Sequence, residues 1–144
     1  MLKNYPYLRG VCLVLKKIVQ KFDLNEPYTG GIGSYSLFVL LLYAHFKTRH
    51  DFSPTDSKIY PAWLLLMFLN HFSTFDFTNY MISYIPTKDM NSDFLVALPW
   101  LIGYWSDEKM VLSDPIDSTN NLIAKSFWIE EVFLAFHQTF KDIE

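Results

Sequence analysis

Leu24-Asn25-Glu26-Pro27-Tyr28-Thr29-Gly30-Gly31-Ile32-Gly33-Ser34-Tyr35-Ser36-Leu37 is the stretch that orders this chain. An amphipathic helix carrying Lys16 runs into it, and a strongly apolar helix leaves it near Gly33. Glycines at 30, 31 and 33 permit positive φ or a close approach to a ligand. Ser34 sets a hydroxyl beside the unpaired N–H groups of a new helix, and such an end attracts anions. Tyr35 adds a flat aromatic surface next to it. A phosphate seat beside an aromatic platform suits a nucleotide. The plainer alternative is that Ser34 is simply a helix cap.

Working outward, Asn4 can cap a first helix that starts at Tyr5-Pro6. Leu8, Val11, Cys12, Leu15, Ile18, Val19 and Phe22 follow helical spacing along it, with Lys16, Lys17 and Lys21 off the stripe. A second helix is expected from about Gly33 to Thr48, and a polar loop with Pro54 from Arg49 to Ser57. A third helix runs from about Ser57 to Phe75. Phe77 to Ile85 mixes aromatic and β-branched residues and reads as one short strand or an extended arm. Thr87 to Asp93 reads as loop. Phe94 to Tyr104, broken by Pro99 and Gly103, has no clear assignment. Met110-Val111-Leu112 is a plausible strand, and a last helix is expected from about Ile123 to Lys141. The class is mainly α with a minor β element.

At 144 residues the chain reads as one domain with a substantial core. Hydrophobic residues at 51% and aromatics at 18% exclude disorder. A net charge of −3 excludes a global basic field for RNA, so any RNA contact must be local. One cysteine, Cys12, excludes an internal disulfide and cannot form a zinc site by itself. Leu2 to Arg9 is polar and interrupted by Pro6, unlike a secretory signal. The apolar runs Leu37 to Ala44 and Ala62 to Leu69 are far short of the ~20 residues that span a bilayer. An intracellular protein is expected, with no membrane partner.

Beyond composition, Val14-Leu15-Lys16, Asp23-Leu24-Asn25-Glu26 and Thr29 to Leu37 together resemble the central domain of the template-independent poly(A) and poly(U) RNA polymerases. Within that family they are most similar to the nuclear poly(A) polymerase subunits of TRAMP-type RNA-surveillance complexes. Ser113-Asp114-Pro115-Ile116-Asp117-Ser118-Thr119-Asn120-Asn121 resembles the family's nucleotide-recognition loop. Leu64 to Phe72 and Phe75 to Tyr80 resemble the helix and aromatic segment between them. The likeness covers nearly the whole chain, in the right order. It implies that residues 1–144 are a single helical, nucleotide-recognising central domain.

The resemblance also implies roles. Lys16 matches the lysine that contacts the triphosphate; Gln20 stands where many members have a second lysine. Ser34 matches a phosphate-contacting serine and Tyr35 the aromatic that stacks on the base. Asp114, Asp117 and Asn120 match the loop residues that face the base. Asn carries both donor and acceptor groups and can read a base edge. A histidine at that place is associated with uridine, so Asn120 implies ATP over UTP. Read without the resemblance, Lys16 belongs to a solvated basic helix face, Tyr35 is the first core residue of its helix, and Asn120 caps the last helix behind an Asp-Pro turn. The chain departs from the family at Leu122-Ile123-Ala124-Lys125, where a glycine-containing run is usual. His71 reads as a satisfied core histidine.

Two-metal phosphoryl transfer needs clustered carboxylates. In the family these lie in a separate polymerase β-like catalytic domain with a Gly-Ser helix start and an Asp-x-Asp pair. No Asp-x-Asp occurs in this sequence. The expectation is therefore half of an active-site cleft: no catalytic residue and no metal site here, with Mg²⁺ or Mn²⁺ only in a complete enzyme. Alone the chain should be inactive. The implied partners are ATP, an RNA 3′ end and a catalytic domain in cis or trans; the implied location is nuclear, in RNA polyadenylation and surveillance. The alternative is a catalytically inactive module that docks on an RNA helicase or zinc-knuckle partner.

Overall fold

The computed structural model describes residues 6–48, 59–76, 80–84, 95–99, 111–116, 120–124, 126 and 128–143. Asn4, the 49–57 loop, the 87–93 loop and Asp117 lie outside them. Among these residues four α-helices, a 3-10 turn (Pro27–Thr29) and a strand pair make up the regular structure: α1 (Tyr7–Lys21), α2 (Ser34–Thr48), α3 (Tyr60–Thr74), β1 (Tyr80–Tyr84), β2 (Leu95–Pro99) and α4 (Ile129–Ile143).

Leu8, Val11, Leu15 and Val19 form the buried stripe of α1, while Lys16 and Lys17 are exposed. The helix ends in a Schellman motif. Leu24 N–H donates to the Val19 carbonyl (2.9 Å) and Asp23 N–H to the Gln20 carbonyl (3.0 Å). Asp23 takes the left-handed position at φ 57°. α2 is buried almost all round from Ser36 to Phe46, as its continuous apolar sequence requires. In α3, Pro61 occupies the first turn, where a missing N–H costs nothing. α4 carries Glu130 and Glu131 in its first turn and Lys141 in its last, matching the helix dipole.

The core joins all four helices. Phe68 of α3 meets Phe136 of α4 edge-on at 5.1 Å, and Phe72 stacks on Phe133 at 6.0 Å. His71 is only half-buried, yet its Nε2 has no hydrogen-bond partner. That corrects the expectation of a satisfied histidine. Burial, helped by the Lys47 charge, lowers its pKa to about 4. The Tyr43 hydroxyl, also unpartnered, is pushed up to about 12 by burial.

β1 and β2 pair antiparallel, with Tyr80 opposite Pro99 and Tyr84 opposite Leu95. β2 falls in the stretch left unassigned from sequence. On β1, Ile82 bridges Leu112 in parallel, through Ile82 N–H to Val111 (3.2 Å) and Ser113 N–H to Ile82 (2.8 Å). Residues 111–113 thus continue the β element and carry the Asp-Pro loop. α4 begins at Ile129, not near Ile123 as expected. A turn closes on itself through Ala124 N–H to Asn121 (3.2 Å) and Ser126 N–H to Ile123 (3.1 Å). Trp128 N–H is then drawn to the Gly30 carbonyl (2.8 Å), and the helix starts only after it. Asn120 therefore does not cap α4.

Candidate functional site

The glycine turn is built by its own backbone. Gly30 has φ 90°, and its N–H donates to the Pro27 carbonyl (3.1 Å). Gly31 N–H reaches Glu26 (2.9 Å) and Ile32 N–H reaches Leu24 (2.8 Å), folding 24–32 back on itself. A Cβ on Gly31 would press into the Leu24 carbonyl. The close approach that needs glycine at 31 is thus to the chain's own backbone. The turn delivers Ser34 as the first residue of α2. The first N–H groups of a helix lack partners within it, so this end remains an anion-favouring one.

Lys16 and Ser34 line one open concavity of about 230 Å³ between α1 and α2, together with Arg9, Cys12, Leu13 and Phe38. Burial raises the Cys12 thiol, and the Lys16 charge opposes that rise. Sequence reasoning missed Arg9. Its spacing of two turns from Lys16 on one helix face was the available signal.

Tyr35, the next residue, turns the other way. Its hydroxyl donates to Oδ1 of Asp114 (2.9 Å). Asn120 Nδ2 donates to Oδ2 of the same carboxylate (3.3 Å). Ile116 N–H donates to Oδ1 (2.9 Å), the short-range bond expected of an Asp-Pro turn. Asp114 N–H closes the loop on the Asn120 carbonyl (3.0 Å). Partial burial, the hydrogen bond to Asp114 and its negative charge all raise the Tyr35 pKa, in that order. Asp114 itself is 9% exposed, whereas the Tyr35 and Asn120 side chains face solvent.

Two residues outside the expected set anchor the loop. Ser36 Oγ donates to the Leu122 carbonyl (3.2 Å), tying α2 to the far arm. Buried Asn121 accepts from Leu112 N–H (3.0 Å) and Ile123 N–H (3.3 Å) through Oδ1. Leu122 to Ala124, where the resembling family carries glycine, adopt no positive φ.

Five of the expected site residues therefore fall into two adjoining groups. Lys16 and Ser34 share the concavity; Tyr35, Asp114 and Asn120 share one hydrogen-bonded cluster. The peptide bond between Ser34 and Tyr35 links them. Tyr28, Ile116 and Trp128 are exposed, Tyr28 at 95% and Ile116 at 86%. Among the described residues no group of three or more His, Cys, Asp or Glu could hold a metal ion. Among them, too, no helix is long and apolar enough to cross a membrane.

No family model matches the chain. Its relatives are poly(A) RNA polymerases. It is 26% identical over 144 residues to the inactive non-canonical poly(A) RNA polymerase protein Trf4-2 of Drosophila melanogaster, covering 96% of this chain and 34% of that protein. It is 27% identical over 153 residues to the poly(A) RNA polymerase gld-4 of Caenorhabditis elegans, covering 96% of this chain and 17% of that one. The chain thus spans about a third or less of the length of these two relatives. Its fold is that of the polymerase core of TRAMP, an RNA surveillance complex, with a TM-score of 0.76 at 24% identity over 97% of this chain and 44% of that one.

Proposed function

We propose that the chain is the nucleotide-recognising half of a poly(A) polymerase-type RNA 3′-end nucleotidyltransferase, acting in nuclear RNA surveillance. Lys16 and Ser34 hold the triphosphate, Tyr35 stacks on the base, and Asp114, Asp117 and Asn120 set which base is accepted. The observation that carries this reading is the adjacency of the two groups. Consecutive residues of one helix start, Ser34 and Tyr35, face a cationic concavity on one side and a hydrogen-bonding loop on the other.

The chemistry follows from these parts. A lysine ammonium approaches phosphate as a point charge, and Arg9 adds a fork of donors to the same concavity. Stacking on Tyr35 is worth ~1–3 kcal/mol and is blind to sequence. Discrimination must come from polar groups at the base edge, and Asn120 supplies both kinds. The described residues do not fit a divalent metal. In a complete enzyme Mg²⁺ or Mn²⁺ would come with carboxylates of a catalytic domain, in cis or in trans. The chain by itself binds nucleotide weakly, favours ATP over UTP, and does not extend RNA.

A second reading, a catalytically inactive module docking on an RNA helicase or zinc-knuckle partner, is favoured by one observation: the Drosophila relative is itself described as inactive. Titration of the purified chain with ATP and UTP separates the two. On the first reading Tyr35→Ala weakens both nucleotides alike, by ~1–3 kcal/mol. Lys16→Ala lowers triphosphate affinity and its salt dependence without changing base choice. Asn120→His moves preference toward UTP. No saturable binding of either nucleotide would leave the interaction module standing.

A further inference from the structure

The Asp114 carboxylate is the hub of the loop cluster. It accepts from the Tyr35 hydroxyl and Ile116 N–H at Oδ1 and from the Asn120 amide at Oδ2. It is also the buried member of the group, while both side chains it holds are exposed. An ionised carboxylate only accepts hydrogen bonds, so the nitrogen of the Asn120 amide must be the atom that faces it. The direction of that amide is therefore dictated by chemistry. Its Oδ1 and the second N–H of the amide are left over, and among the described residues nothing donates to that oxygen.

We propose that Asp114 is a positioning residue. By taking the Asn120 nitrogen it presents the Asn120 carbonyl oxygen beside the Tyr35 ring, and so selects bases with an exocyclic amino group over their oxo counterparts. This rests on the nucleotide reading given above. Tyr35 and Asn120 hang from the two oxygens of one carboxylate, so a base laid on the ring has its edge within reach of the amide. A bare acceptor there receives the 6-amino group of adenine or the 4-amino group of cytosine. It faces the 6-oxo group of hypoxanthine or the 4-oxo group of uracil with two acceptors and no proton between them. A site that lacks the matching donor rejects such an analogue strongly, because both polar groups are left unpaired.

Asp114→Asn reverses the polarity at nearly constant shape. The oxygen of the substituted amide still accepts from Tyr35 and Ile116. Its NH₂ group, however, can only donate, and so it turns the Asn120 oxygen inward and the Asn120 nitrogen outward. The test is titration of the full chain, wild type and D114N, with two pairs of nucleotides followed by NMR. ATP and ITP differ at purine position 6, and CTP and UTP at pyrimidine position 4; each pair shares its triphosphate and ribose.

Wild-type chain is expected to bind ATP over ITP and CTP over UTP by about fivefold or more, and D114N to reverse both preferences, a swing of about tenfold or more in each ratio. Tyr35→Phe keeps the ring and the Asp114–Asn120 bond; it should weaken all four nucleotides without moving either ratio. Equal binding within each pair by wild type overturns the proposal, even if D114N fails to fold. So does a D114N chain that loses affinity for all four alike. Binding with ratios unmoved sinks this inference and leaves the nucleotide reading intact, whereas no binding of any nucleotide by wild type sinks both.

Discussion

From Leu37 to Phe46, α2 is buried except at the half-buried Phe38, while its first two residues, Ser34 and Tyr35, stand in solvent. The two parts of this helix are held by different forces. The inner part is fixed mainly by burial, which has no direction and accepts apolar residues of suitable volume, with the buried His45–Tyr60 hydrogen bond (2.8 Å) as a directional addition. The outer part is fixed by a few directional bonds, from Tyr35 to Asp114 and from Ser36 to Leu122, in which identity matters more than size. Stability should therefore be lost mostly by changes in the interior, and recognition by changes at the rim.

The largest effect should come from emptying the interior. Phe68 is fully buried between Phe72, at 4.7 Å, and Phe136. Phe68→Ala should cost about 3–5 kcal/mol, read as a shift in the urea midpoint. A loss below about 1 kcal/mol would mean that the aromatic stack is not what joins α3 to α4.

Next comes a half-buried polar residue among the core aromatics, His71. Its folded-state pKa of about 4 lies below the ordinary 6.5, chiefly through burial and secondarily through Lys47. Between these values the unfolded chain binds the extra proton, so stability is full above about pH 6.5 and falls as pH drops toward 4. The loss amounts to at most about 3 kcal/mol. His71→Phe removes both the titration and the unpartnered Nε2. The difference in unfolding free energy between the two chains should grow on acidification. A constant difference from about pH 7 to about pH 4 would place an ordinary histidine there.

Gly31 tests whether the rim depends on its turn. Gly31→Ala forces a Cβ against the Leu24 carbonyl, at a cost of about 1–3 kcal/mol. The variant should also lower ATP affinity, because the same turn delivers Ser34 and Tyr35. Destabilisation with ATP affinity unchanged would show that the rim is set from the Asp-Pro loop alone. The smallest effect is a gain: Asp23→Gly relieves a left-handed residue at the end of α1 and should add about 0.5–1 kcal/mol, with no change in nucleotide binding.

The Schellman motif and the late start of α4 show how legibility varied along the chain. α1, α2 and α3 were readable to within about three residues, because Leu8, Val11, Leu15 and Val19, or an unbroken apolar run, state the burial pattern locally. The positive φ of Gly30 was readable for the same reason. The start of α4 was not, because Ile123 and Ala124 suit a helix, and the turn over 121–126 and the bond from Trp128 to Gly30 together delay it. β2 was hidden because Leu95 to Pro99 lacks alternation, and its pairing with β1 is what makes it a strand. Arg9 at the concavity was marked only by its two-turn spacing from Lys16, and Asn121 lay inside the resembling loop motif with nothing to mark it as the loop's anchor.

The sequence by itself determined the helical class, the glycine turn and the residue types at the proposed nucleotide site. These depend on neighbours within a turn or two of the chain, where propensity and periodicity act. Tertiary structure alone decided that Tyr35 would meet Asp114 across 79 residues, and that Lys16 would share a concavity with Ser34. Such meetings depend on how α2 packs into the core and where β1 carries residues 111–113. Burial drives that packing without direction, and the directional bonds then fix which side chains face one another.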